Sequence, residues 1–282
     1  MTETVREAVD KERIGELMSG PSRALLAGLT VLKETESTNT ELQTLPIDQQ
    51  HAQAIIAESQ TRGRGRRQRH WHSPPGRNIY LSLGWNFAST GRPFATLPLM
   101  VAVCTCRAMT RCGLEKHGIK WPNDILVAGA KLAGILVEAK TLAGGAVHAV
   151  IGVGVNVDMT HLASERQNAD AVIEQPWTDM QTQMPVAGSR LSRNAVAAAL
   201  LDELLGGARD YASLGFQPFR SEWSGLDLLR GREICVLQQE NSTVGIARGI
   251  DEDGGLLLEV KNSNGAEQLR VFHAGEVSVK RT

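Results

Sequence analysis

The densest chemistry in the chain lies in AESQTRGRGRRQRHWHSPPGRN, Ala57 to Asn78, where Arg62, Arg64, Arg66, Arg67 and Arg69 are interleaved with Gly63 and Gly65. Guanidinium groups this close repel one another, which favours an open, solvated loop unless an anion gathers them. The glycines let backbone approach such an anion, and forked donors suit phosphate and carboxylate oxygens. The stretch lacks the GK[ST] ending of a P-loop, and no helix follows where a dinucleotide fingerprint needs one. A solvated basic loop, or adventitious RNA contact, fits the same composition.

A second cluster, KWPNDILVAGAKLAGILVE, sets a lysine beside Trp121, a proline-fixed turn at Pro122, the polar pair Asn123 and Asp124, and Lys131 at the entry of an apolar strand. Lys131 reads either as a cation brought to a site or as an edge-strand gatekeeper, and Asn123 and Asp124 either as site residues or as turn formers. In a third element, IGVGVNVD, Gly152 and Gly154 share one strand face with Asn156. That leaves a strip of bare backbone for a flat ligand or for close packing of another element.

These groups need a scaffold. Val5, Val9, Ile14, Leu17 and Met18 have helical spacing, and Gly20-Pro21 is expected to stop that helix. A strand over LTVLKETEST leads to a short helix capped by Ser37 or Thr38 and ended at Pro46. Strands AQAIIAES and NIYLSLGW flank the arginine loop, and a buried helix spans Leu97 to Arg111. GIKW, DILVAG, KLAGILVEAK and HAVIGVGVNVD follow as strands, with VAGAK as a tight hairpin. Residues 158–190 read as irregular, and Ser192 caps a helix that closes the large domain. After Trp223, the segments REICVLQ, STVGIARGI, GGLLLEV and EQLRVFHAGEVSV read as the strands of a small SH3-like β-barrel. The expected class is α+β: an N-terminal helical segment (1–28), a mixed-sheet domain (29–225) and the small β-domain (226–282).

Composition narrows the function. With 282 residues and 42% apolar content the chain can bury a sizeable core, and 30 Lys+Arg against 31 Asp+Glu make the arginine cluster a local feature. The charged N-terminus carries no secretory core and no run of about 18 apolar residues occurs, so a soluble, cytoplasmic protein is expected. Cys104, Cys106, Cys112 and Cys235 have no zinc spacing and read as small hydrophobes, the first three in a buried helix.

Taken together, ESTN, the arginine loop, KWPNDI, KLAGILVE and IGVGVN, in this order and over about residues 30–280, resemble the biotin protein ligases. The resemblance implies the fold of biotin and lipoate ligases and a two-step reaction. Biotin's carboxylate attacks the α-phosphate of ATP, with Mg²⁺, to give biotinyl-AMP and pyrophosphate. A lysine of a biotin carboxyl carrier domain then attacks the mixed anhydride. No tightly bound prosthetic group is implied.

Carried over residue by residue, the resemblance assigns the biotin site to Ser37, Thr38, Asn39, Gln60, Gly63, Arg64, Gly65, Arg66, Lys131 and Gly134. It assigns the nucleotide to Arg67, Arg69, Trp71, Asn123, Gly152, Gly154 and Asn156, the chemistry to Lys131, Arg66 and Arg64, and Mg²⁺ to Asp124. Arg62 stands where the family has a small residue, and Gln68 where it has a third glycine; both should restrict or recharge the loop. The competing readings are a lipoate or octanoate ligase and a ligase that doubles as a repressor through a winged helix. Fewer than 40 residues precede Ser37, where a winged helix needs roughly 60. No DNA or membrane partner is therefore expected, and a homodimer through the sheet is left open.

Overall fold

The computed structural model describes residues 7–88, 94–160, 176–184, 191–238, 241–261 and 265–279. Helix α1 (Lys11–Leu17) opens at Asp10, whose side chain accepts from the Arg13 amide. The helix stops before Gly20-Pro21 as expected, but a second one follows at once. Pro21 lies in the first turn of a second helix, α2 (Gly20–Leu25), capped by Ser19, because proline loses nothing where the amide has no helical partner. Val5 lies outside the described residues. Both helices are pinned to a long helix further on, through Asp10 N–H to Asn194 Oδ1 (2.8 Å) and Ser19 N–H to Asp202 Oδ1 (3.0 Å).

Seven strands form a mixed sheet in the order β1 (Gly28–Leu32), β2 (Gln53–Ala57), β3 (Ile79–Phe87), β7 (Val147–Val155), β6 (Ala130–Thr141), β5 (Asp124–Val127), β4 (His117–Lys120). Only β1 and β2 pair in parallel. The arginine loop joins the antiparallel neighbours β2 and β3, and the β5–β6 hairpin turns on Ala128 and Gly129, both at positive φ. Helix α3 (Thr38–Gln43) covers one face of the sheet with Leu42 against Ile55 and Val150. Neither Ser37 nor Thr38 caps it with a side chain. The Thr38 amide instead donates to Gln60 Oε1 (2.9 Å), across 22 residues of sequence.

The opposite face is covered by α4 (Leu97–Arg111) and α6 (Arg193–Leu214), after the one-turn α5 (Met180–Gln183) in the expected irregular stretch. Ser192 caps α6, but that helix does not close the domain: α7 (Gln217–Leu226) follows and buries Phe219 and Trp223. Cys104 and Cys106 are buried, and burial pushes their thiols well up. Cys112, at the end of α4, is half-exposed and is pushed up to about 11 by burial. No helix among the described residues is long and apolar enough to cross a membrane.

The C-terminal strands form an antiparallel sheet in the order β11 (Glu267–Phe272), β10 (Leu256–Lys261), β9 (Asn241–Ile250), β8 (Glu233–Gln238), β12 (Glu276–Val279). The single strand expected over EQLRVFHAGEVSV is broken at His273–Gly275, and its halves lie on opposite edges. The small β-domain is thus the five-stranded antiparallel, SH3-like sheet expected, and among the described residues no ladder joins its two edges. Trp121 Nε1–H donates to Gly254 O (2.9 Å), fastening this sheet to the larger one.

Candidate active site

Register and one irregularity assemble the site. Across the large sheet, Asp124, Gly134, Gly154 and Tyr80 lie side by side, with Leu136, Gly152 and Ser82 in the next row on the same face. Lys131 and Gly134, three apart, should face opposite sides of a regular strand. Pairing of β5 with β6 slips between Ile125 and Leu126, leaving Leu132 as an extra residue. Such a bulge re-aims side chains, and a Cβ placed on Gly134 would lie 3.2 Å from Lys131 Cε. The lysine thus shares the face of the bare glycines.

Over this face opens a cleft of about 630 Å³, walled by the arginine loop, the KWPND turn, the Pro176–Trp177 segment and the edge of the small sheet. Thr38, Gln60, Arg64, Gly65, Arg66, Arg67, Arg69, Trp71, Asn123, Asp124, Lys131, Gly134, Gly152, Gly154 and Asn156 all line it. Ser37, Asn39 and Gly63 do not: the first two are buried behind the wall, and Gly63 packs where a Cβ would meet Trp71 O and Ser73 Oγ.

The glycine strip is already covered. A Cβ on Gly134 or Gly154 would meet the Trp71 indole at 2.8 and 2.7 Å, and one on Gly152 would collide with the Asn39 carboxamide. Lys131 Nζ sits 2.7 Å from Asp124 Oδ1 and 5.2 Å from the Trp71 ring centroid. Asn123 is locked to β6 through its Nδ2–H to Ile135 O (2.9 Å) and presents Oδ1 to Arg66 Nη1 (3.2 Å). Asn156 donates to Thr178 O (3.0 Å), tying the Pro176–Thr178 segment beside Lys131.

The charge repulsion expected to hold the loop open is offset by carboxylates of the protein itself. Arg62 pairs with Glu36 (3.4 Å), Arg64 with Glu138 (3.0 Å), and Arg67 (3.1 Å) and Arg69 with Glu276 on β12. The loop folds into a short 3₁₀ turn whose Arg67 and Gln68 both adopt positive φ. That conformation suits the glycine absent at position 68. Arg66 is held below its ordinary value by burial and by Arg67, and Lys120 by burial and by Lys131 and Arg69. Burial is the larger cause in both, and Asp124 and Glu276 partly offset it.

Lys120, Glu276, Trp177 and Tyr80 line the cleft without having been assigned to it from sequence. Lys120 lies inside the KWPND motif and its signal was available. Glu276 enters from a strand more than 200 residues from the loop and had no local signal.

Comparison with known proteins gives one consistent family. Residues 31–156 match the model "Biotin/lipoate A/B protein ligase family" and residues 231–280 the model "Biotin protein ligase C terminal domain". The chain is 34% identical over 270 residues to the bifunctional ligase/repressor BirA of Escherichia coli, covering 96% of this chain and 77% of that protein. It is 31% identical over 245 residues to the biotin--[acetyl-CoA-carboxylase] ligase of Mycobacterium tuberculosis, covering 82% and 83%. The biotin protein ligase of Aquifex aeolicus, solved with biotin and ATP, superposes with a TM-score of 0.71 at 25% identity, covering 91% of this chain and all of that one.

Proposed function

The chain belongs to the biotin protein ligase family, and from that premise we propose that it activates biotin with ATP and transfers it to a lysine of a biotin carboxyl carrier domain in the cytoplasm. The observation that carries this reading is the convergence on one cleft of Lys131, four loop arginines and a strip of bare backbone.

The roles follow from position. Lys131, paired with Asp124, would exchange that counter-ion for the biotin carboxylate and the α-phosphate oxygens. It brings two mutually repelling anions together and stabilises the charge that grows on phosphorus. Arg66 would hold the carboxylate end, Arg64, anchored at Glu138, would wrap the valeryl chain behind it, and Arg67 and Arg69 would hold the phosphates, in place of Glu276. The Trp71 indole, with its Nε1–H buried and unpartnered among the described residues, would part the two ligands. Once biotinyl-AMP has formed, the same loop shields an anhydride that water would otherwise consume.

Among the described residues no cluster of three His, Cys, Asp or Glu can hold a metal ion. The donors present suit Mg²⁺ arriving on the triphosphate, since the ion keeps most of its shell as water and phosphate oxygen. Asp124 and Glu276, the carboxylates among the described lining residues, would hold it. It would supply neutralisation of the leaving pyrophosphate.

The test is incorporation of labelled biotin into a carboxyl carrier domain with ATP and Mg²⁺. Lipoate in hundredfold excess should leave it unchanged; loss of label to lipoate would move the assignment to lipoate attachment.

A further inference from the structure

Behind the cleft wall lies a row of polar side chains with a fixed direction. Glu138, two residues beyond Leu136 on the cleft face of β6, offers Oε2 to Asn39 Nδ2 (2.8 Å), Arg64 Nη2 (3.0 Å) and Gln43 Nε2 (3.4 Å). An ionised carboxylate only accepts, so it turns the Asn39 amide nitrogen toward itself and the carbonyl Oδ1 toward Ser82 Oγ, 2.6 Å away. Oδ1 cannot donate, so the single Ser82 proton belongs to that bond. The 2.8 Å contact between Ser82 and Thr38 is then made by the Thr38 proton, which is drawn away from Gln60 Oε1 at 3.3 Å. Ser82, Asn39 and Thr38 are all buried, so water does not scramble the order.

We propose that Glu138 is a positioning residue that polarises the relay Glu138–Asn39–Ser82–Thr38, so that Thr38 presents an oxygen lone pair to the ligand and selects a substrate bearing an N–H group at that point. The proposal rests on the biotin reading above and deepens it: the cyclic urea of biotin carries such N–H donors, and the dithiolane of lipoate carries none. Arg64, paired to the same carboxylate oxygen, ties this end of the cleft to the loop. Glu138→Gln would remove the direction, because the new side chain's NH₂ can face Asn39 and let the amide turn over.

Calorimetry of the wild-type full chain with biotin alone comes first; absence of binding there sinks the biotin reading and this inference with it. Given binding, Glu138→Gln should raise the Kd for biotin about tenfold, the scale of one charge-assisted hydrogen bond, with KM for ATP within about twofold. Thr38→Val removes the relay's final acceptor, so adding Glu138→Gln to it should cost less than about twofold more. Unchanged biotin affinity in Glu138→Gln, or a loss that multiplies with that of Thr38→Val, overturns the relay while leaving the biotin reading intact. Should Glu138→Gln fail to fold, Ser82→Ala cuts the relay one link nearer the ligand. In the same cycle with Thr38→Val, a loss of biotin affinity that does not multiply supports the relay, and an unchanged affinity or a multiplying loss overturns it.

Discussion

At the centre of the cleft the charge of Lys131 meets both an acid partner and an aromatic face, with Asp124 on one side and Trp71 on the other. A cation aimed at reacting oxygens in a water-poor site contributes several kcal/mol to a transition state. Lys131→Ala should therefore slow biotin-dependent pyrophosphate release by roughly two to three orders of magnitude at saturating substrates. A change of only a few-fold would reduce the lysine to a strand-edge charge. Arg66 is placed differently, reaching Asn123 from the loop, and its loss should free the adenylate more than it slows its synthesis. Arg66→Ser is expected to label lysines on an unrelated bystander protein; an inactive enzyme that labels nothing would move Arg66 into the first chemical step.

At the scale of elements, two neighbouring glycines of α6 separate backbone cost from packing. Nothing lies within 4 Å of a Cβ added to Gly206, whereas one on Gly207 would collide with Cys104 Sγ and meet Met100 Sδ at 3.0 Å. Gly206→Ala should stabilise the fold by about 0.5–1 kcal/mol through helix propensity. Gly207→Ala should destabilise it by about 1–3 kcal/mol by prising α4 from α6. A urea midpoint that rises for Gly207→Ala as it does for Gly206→Ala would show that α4 and α6 leave room for the methyl group. On the sheet, Gly154→Ala should spare stability but weaken nucleotide binding about tenfold or more, since the indole 2.7 Å away must leave its seat. Equal ATP affinity in calorimetry would separate Trp71 from the nucleotide.

Over the whole molecule, burial holds His51, His72, His117 and His148 below the ordinary histidine value of 6.5. Neighbouring histidines add to the effect at His72 and His148. A histidine depressed in the folded state takes up its proton more readily in the unfolded one, so its contribution is present above 6.5 and is lost as pH falls below it. Glu7 extends the loss to lower pH. Burial raises its carboxyl, but bonds from Asn194, Ser192 and the Arg193 amide outweigh that and hold it below 4.5. Burial raises the carboxyls of Asp179 and Asp227 and works the other way at that end. The urea midpoint should therefore fall between pH 7.5 and 5.5, where only the histidines act; a flat profile through pH 6 would contradict the histidine account.

What the sequence determined by itself was whatever is local. The arginine-glycine loop, the KWPND turn, the glycine strip and most strands and helices carry their signals within a dozen residues, because side-chain periodicity and turn chemistry act over that range. Even there, Gly20-Pro21 read as a stop alone, and it also opens α2, since proline suits both places. The tertiary structure decided what depends on register and on distant partners. The bulge at Leu132 brings Lys131 to the face of Gly134, the Gln60 carboxamide satisfies the first amide of α3, and Glu276 reaches the loop from another sheet. It also decided that the loop's repulsion is met from within, by Glu36, Glu138 and Glu276. Coulomb energy depends on separation in space, and separation along the chain carries almost no information about it.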